Sequence, residues 1–213
     1  MRAVAETLTL SDVFLPRQGI LENNLLRNGV LMVTFSLFIA LCARIAIPLL
    51  FTTVPITGQT MAVLLTGAAL GKWRGAGSLL FYIAEGSLGL PFFAGGRSYL
   101  FWAAPNGGYL VGFIFAAFLV GFLAERGWDR GFRRTALAML VGNIVIYLFG
   151  LPWLAYFIAN NFLNLSNIIP GNTLLEKTLV GGLIPFIPGD LVKLLLASLV
   201  LPGTWVLVKR RGD

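Results

Sequence analysis

The sequence predicts an all-α integral membrane protein, a bundle of six transmembrane helices with both termini cytoplasmic. Apolar residues make up 57% of the chain against 12% charged, with mean hydropathy +0.84, far from the soluble average. Several apolar runs approach the roughly 20 residues that a membrane-crossing helix needs. The basic residues are also sorted between the loops. Twelve (Arg2, Arg17, Arg27, Lys72, Arg74, Arg126, Arg130, Arg133, Arg134, Lys209, Arg210 and Arg211) fall on the side of the termini, and two (Arg97 and Lys177) fall opposite. Lys and Arg mark cytoplasmic loops, so the net charge of +7 reports topology and not nucleic acid.

The expected organisation is a cytoplasmic N-terminal segment over 1–29, a membrane domain over 30–208 and a basic cytoplasmic tail over 209–213. Residues 1–29 carry Glu6, Asp12, Arg17, Glu22 and Arg27 without a continuous apolar core, unlike a signal peptide. The first span, 30–51, holds Ser36 and Ala40, small residues four apart that permit close helix approach. Arg44 lies in its second half, and Pro48 weakens its end. The second span, 56–70, is short and rich in Gly, Thr and Ala, so it packs inside the bundle. The third, 76–90, carries Tyr82 and Glu85. The connection that follows contains Gly95, Gly96 and Arg97 among aromatics, which suits a folded loop over a site.

The fourth span is 109–124, and the fifth, 135–158, contains Asn143, Tyr147, Pro152 and Trp153. A polar, turn-rich segment over 160–177 leads to the sixth span, 190–208. Pro188 and Gly189 disfavour continuous helix, so this helix is expected to start at Asp190, as cap or first-turn residue, with Lys193 one turn along. A charge at membrane depth costs roughly 2.5–3.5 kcal/mol, which makes this pair a functional candidate; the alternative is a buried ion pair that only neutralises itself. No inverted repeat of the self-sufficient transporter kind is evident.

This topology brings separate polar groups to one membrane face: Gln59, Glu85, Arg97, Tyr109, Tyr147, Asp190 and Lys193. A pocket open to the outside follows, suited to a small anionic amphipathic ligand. A carboxylate accepts from paired N–H donors, an ammonium donates to a carbonyl, and an arginine fork matches a carboxylate. Tyr82, Phe92, Phe93, Tyr109 and Trp153 could enclose its apolar middle. Each has a structural alternative: belt residues for Tyr109 and Trp153, a helix-end hydrogen bond for Gln59, pairing with Arg44 or Arg97 for Glu85, and a solvated cation for Arg97. With no histidine and only Cys42, the usual transition-metal and Cys/His catalytic sites are excluded, as is an internal disulfide. An enzyme is not expected, nor is a cofactor or metal. The chain lacks a phosphate-cradling Gly-x-x-x-x-Gly-Lys-[Ser/Thr] loop, so energy must come from partners or from an ion gradient.

Four motifs resemble the biotin-specific BioY family: Val54-Pro55-Ile56-Thr57-Gly58-Gln59-Thr60; Gly89-Leu90-Pro91-Phe92-Phe93-Ala94-Gly95-Gly96; Pro105-Asn106-Gly107-Gly108-Tyr109-Leu110-Val111-Gly112-Phe113; and Pro185 to Lys193. Tyr147 to Trp153 adds to them. The resemblance implies an S component of an energy-coupling factor transporter, a multi-pass subunit of the prokaryotic cell (inner) membrane. Such a subunit captures biotin and works with a membrane coupling subunit (T component) and two ABC-type ATPase subunits. It implies that Asp190 and Lys193 hold the ureido ring, that Gln59, Gly95 and Gly96 line the pocket, and that Ser36 and Ala40 dock the partner. Arg97 is expected to take the valerate carboxylate, since Leu110 stands where some members carry an arginine. Tyr82, Phe93, Tyr109, Asn143 and Tyr147 complete the candidate binding set. The alternative function is an ion-gradient-driven carrier of a small anionic solute acting through Glu85, Asp190 and Lys193.

Overall fold

The computed structural model describes residues 9–14 and 23–210, the side chains of Lys209 and Arg210 excepted. The expectations for Arg2, Glu6, Arg17, Glu22 and Arg211 lie outside the described residues. The chain is mostly helical. A short α1 (Leu10–Phe14) precedes α2 (Asn24–Ala43), whose N-cap Asn23 accepts from the N–H groups of Leu25 and Leu26. Two two-residue strands, β1 (Ala46–Ile47) and β2 (Ile56–Thr57), pair antiparallel with Ala46 opposite Thr57. This hairpin closes the Pro48–Pro55 turn and delivers the chain into α3 (Gln59–Leu70).

The helices α4 (Lys72–Ser87), α5 (Gly107–Ala124) and α6 (Phe132–Ala159) follow. The segment expected to be only polar turns contains two more short helices, α7 (Leu165–Ile168) and α8 (Leu174–Gly182), before α9 (Ile187–Arg210). Thr173 caps α8, its hydroxyl accepting from the Glu176 N–H at 3.2 Å, while Glu176 accepts from the Asn172 N–H.

Among the described residues, four stretches are long and apolar enough to cross a membrane: Asn24–Ala43, Gly107–Ala124, Phe132–Ala159 and Leu174–Val208. The 12 residues of α3 rise only about 18 Å, short of a roughly 30 Å hydrocarbon core. Gly67 of α3 sits where a Cβ would come within 2.4 Å of the Ala117 carbonyl oxygen on α5, so these two backbones are in contact. Gly108 similarly admits the Trp153 side chain of α6, which donates its indole N–H to the Ala104 carbonyl at 3.0 Å.

The expected break at Pro188-Gly189 is displaced. The chain breaks at Leu183 (φ −132°, ψ −61°), passes through a 3₁₀ turn over Ile184–Phe186, and α9 begins at Ile187, three residues before Asp190. Proline is tolerated in a first turn, where its missing N–H has no intrahelical partner anyway. The last carbonyls of α8 are satisfied elsewhere: Thr52 donates to the Gly181 oxygen at 2.7 Å and Tyr109 to the Gly182 oxygen at 2.8 Å.

Polar ties gather both described ends of the chain at one end of the bundle. Asp12 accepts from Arg27 at 2.9 Å and from both Arg74 nitrogens, at 2.9 and 3.0 Å. Burial would raise the Asp12 carboxyl, but the bonds from Arg74, Thr9 and Arg27 hold it well below the usual carboxylate range. Glu125, at the end of α5, accepts from the Lys72 N–H at 3.0 Å. Asp129, between α5 and α6, accepts from the Trp205 indole near the end of α9. The hairpin, the 88–106 loop and the start of α9 occupy the opposite end.

Candidate ligand-binding site

At that opposite end, three helices converge on one carboxylate. Asp190, 7% exposed in the first turn of α9, accepts from the Tyr147 hydroxyl of α6 through Oδ2. Its Oδ1 lies 3.3 Å from the Thr60 hydroxyl of α3 and 3.2 Å from Lys193 Nζ. Lys193 donates to Thr60 Oγ1 at 2.9 Å, so the threonine accepts from the ammonium and donates its own O–H to the carboxylate. The self-neutralising ion pair weighed as an alternative is therefore formed. It is also part of a cavity wall, which that alternative did not require.

The cavity, about 50 Å³, is lined by Gln59, Thr60, Tyr109, Tyr147, Asp190 and Lys193 with apolar Val54, Phe113, Ile146 and Phe186. It shares Pro55, Ala94 and Asn106 with an outer cleft of about 650 Å³ that carries Gly95, Arg97 and Tyr99. Small-molecule sites usually measure 300–1,000 Å³, so a bicyclic ligand enters the inner part only if side chains now closed on Asp190 move aside. A smaller cavity beneath it joins Thr60 and Lys193 to Asn143, whose buried Oδ1 has no hydrogen-bond partner among the described residues.

The 88–106 loop is built to form the outer wall. Phe93 and Arg97 exchange backbone hydrogen bonds of 2.9 and 3.2 Å around Gly95 (φ +71°) and Gly96 (φ +75°), a turn only glycine makes without strain. The Gly95 N–H reaches the Ala43 carbonyl at 3.0 Å, pinning the loop to the end of α2. Asn106 donates to the Tyr99 hydroxyl at 2.6 Å. Burial raises the Tyr99 phenol above its ordinary value, so it stays protonated beside the cleft.

Asp190, Lys193, Gln59, Tyr109 and Tyr147 thus line one cavity. Arg97 and Gly95 stand in the outer cleft, and Asn143 stands below. Tyr82 and Phe93 do not line these cavities. Tyr82 is fully buried, receiving 2.6 Å from Gln59 Nε2 and giving 2.9 Å to the Phe92 carbonyl, so it holds the wall that Gln59 presents. Phe93 fills a notch at Gly86, where any Cβ would strike its ring. Gly96 turns the loop under the Arg44 guanidinium. Glu85 forms no ion pair with Arg44 or Arg97 among the described residues, and its buried Oε2 lacks a hydrogen-bond partner.

Ser36 and Ala40, expected on a docking face, are turned into the bundle at 0% and 6% exposure. The small-xxx-small pattern signalled close packing but not which neighbour. The open stripe of α2 is Val33, Leu37 and Leu41. Sequence reasoning missed Thr60 and Asn106 as site residues. Thr60 stands beside Gln59, and its role required a partner 130 residues away.

The BioY family model matches residues 14–210. The chain belongs to the BioY family. Its curated relatives include the biotin transporter BioY of Rhizobium etli, 36% identical over 185 residues, covering 82% of this chain and 90% of the relative. The biotin transporter BioY of Rhodobacter capsulatus is 38% identical over 182 residues, with the same two coverages. A crystal structure of the S-component for biotin from an ECF-type ABC transporter is similar to this BioY-family fold. Its TM-score is 0.67 at 25% identity, covering 92% of this chain and 96% of that one.

Proposed function

We propose that this chain is the biotin-binding S component of an energy-coupling factor transporter, capturing the vitamin from outside a prokaryotic cell. The observation that carries the reading is the Asp190–Lys193–Thr60–Tyr147 cluster at the inner end of a cavity that leads, through shared walls, to a cleft bearing Arg97. The ureido ring of biotin has two N–H donors flanking one carbonyl. Asp190 accepts from the N–H side, and Lys193 or Thr60 donates to the carbonyl. The apolar and aromatic wall of Val54, Tyr109, Phe113, Ile146 and Phe186 covers the sulfur ring and alkyl chain, and Arg97 takes the carboxylate. The ring displaces the Tyr147 hydroxyl from Asp190 Oδ2, so binding exchanges one hydrogen bond for another while burying apolar surface.

In this reading α2, α3, α4, α5, α6 and α8–α9 make six crossings between an N-terminal segment over 1–29 and a tail over 209–213. Both ends are cytoplasmic, in keeping with the basic loops on their side. The short α3 crosses inside the bundle, shielded from lipid by its contacts with α5. The partners are a membrane coupling subunit and two ABC-type ATPase subunits, and no catalytic step falls to this chain. Purification in mild detergent followed by mass spectrometry tests the ligand. Biotin, retained in wild type and retained less in Asp190→Asn, is expected; a different retained solute would overturn the assignment. Proteoliposomes test the coupling, since accumulation driven by an ion gradient without partner or nucleotide would replace it with a secondary carrier.

A further inference from the structure

The end of the bundle away from the biotin cavity carries a second concave site. A cleft of about 420 Å³ is lined by Gly127, Arg130, Gly131, Phe132, Arg133 and Arg134, where the α5–α6 turn enters α6. Three cationic side chains line it and, among the described residues, no carboxylate does. The neighbouring Asp129 is buried and engaged with the Trp205 indole, and burial shifts its carboxyl upward, towards the neutral form. Glu125 is committed to Lys72 at 3.3 Å. Arg133 and Arg134 are exposed and form no ion pair among the described residues. The Arg130 guanidinium lies 4.4 Å from the Trp205 ring centroid, which fixes its orientation.

Backbone geometry adds to the charge. Gly131 caps α6 without a side-chain hydrogen bond, and a Cβ there would meet nothing within 4 Å, so the first-turn N–H groups are approachable. The surface that runs on from the cleft is apolar. Phe132, Leu137, Leu140, Ile144 and Leu148 are exposed in sequence along α6. A soluble anion would use only the arginines, whereas a phospholipid would use both features.

We propose that this cleft binds the headgroup phosphate of an anionic phospholipid, whose acyl chains lie along the exposed stripe of α6. Basic pockets at the membrane surface attract anionic lipid by a factor of about five per cationic side chain. The test is native mass spectrometry of the full chain from nanodiscs holding equal phosphatidylglycerol and phosphatidylcholine, with Arg133→Gln/Arg134→Gln and Lys177→Gln as variants. Wild type and Lys177→Gln should retain phosphatidylglycerol preferentially, and the double variant should lose that preference by roughly 30-fold. The single variants should each lose about fivefold, which keeps the test valid should the double variant fail to fold. Equal retention by wild type and the arginine variants would overturn the proposal. So would loss of the bound lipid to millimolar inorganic phosphate, which would leave a plain anion site, or displacement by an acidic peptide of the partner type.

Discussion

Replacing Asp190 by Asn probes the proposed biotin site with the smallest change in shape. The native carboxylate has two working oxygens, one facing Lys193 and Thr60, the other facing Tyr147. Asn keeps a single acceptor. Lys193 has only donors, so the amide oxygen turns to it and to Thr60, and the amide NH₂ turns towards Tyr147, whose oxygen can accept instead. The apo protein thus loses little beyond the ion pair. The ligand loses the acceptor for its ureido N–H groups and meets a donor in its place. Loss of a charge-assisted hydrogen bond amounts to about 1–3 kcal/mol, which weakens biotin about 5- to 150-fold. Isothermal titration of the purified variant measures this, with circular dichroism and gel filtration confirming the fold. Adding Lys193→Met should cost less than the sum of the two single changes, because the two side chains act on one another. Unchanged affinity in Asp190→Asn would refute the reasoning, since no other carboxylate lines the cavity among the described residues.

Further outcomes follow from other parts of the molecule. Arg97→Ala should weaken biotin by more than it weakens an analogue with a neutral tail; equal losses would remove Arg97 from carboxylate recognition. Gly67→Ala drives a methyl into the Ala117 carbonyl at 2.4 Å and should lower stability by about 1–3 kcal/mol in thermal unfolding. Gly29→Ala, with nothing within 4 Å of the added carbon, should be neutral or slightly stabilising. Asp12→Asn removes the bridge between Arg27 and Arg74 and should raise hydrogen exchange in residues 9–14 about tenfold or more. Because the folded-state value of Asp12 is depressed, its contribution is complete above the ordinary aspartate value of about 3.9. It fades only as pH falls below that value towards the folded one. Release of residues 9–14 in wild type near pH 6 would contradict this.

The helices and much of the site are legible in the sequence because their signals are local. An apolar run is visible without a partner, and Asp190 and Lys193 stand out by the cost of charge in such a run. What stayed hidden depends on distant neighbours. Tyr82 and Phe93 have the side chains of a pocket wall, but Gly86 opens a notch that swallows Phe93, and Gln59 turns Tyr82 into a support. Ser36 and Ala40 pack as closely as their size suggests, yet inward. Thr60 reads as an ordinary first-turn threonine until α9 brings Asp190 beside it. The displaced break at Leu183 has a similar origin, since Thr52 and Tyr109 cap the end of α8 from far along the chain. Two-residue strands are too short to show an alternation at all.

A structure of the complex with biotin would decide whether the vitamin lies between the Asp190 cluster and Arg97. The expected complex has ureido nitrogens within hydrogen-bond distance of Asp190, Tyr147 swung away from that carboxylate, and the valerate group in the outer cleft. Biotin seated instead in the aromatic groove of Trp102, Phe149, Trp153 and Phe162, with Asp190 still closed on Tyr147, would contradict it.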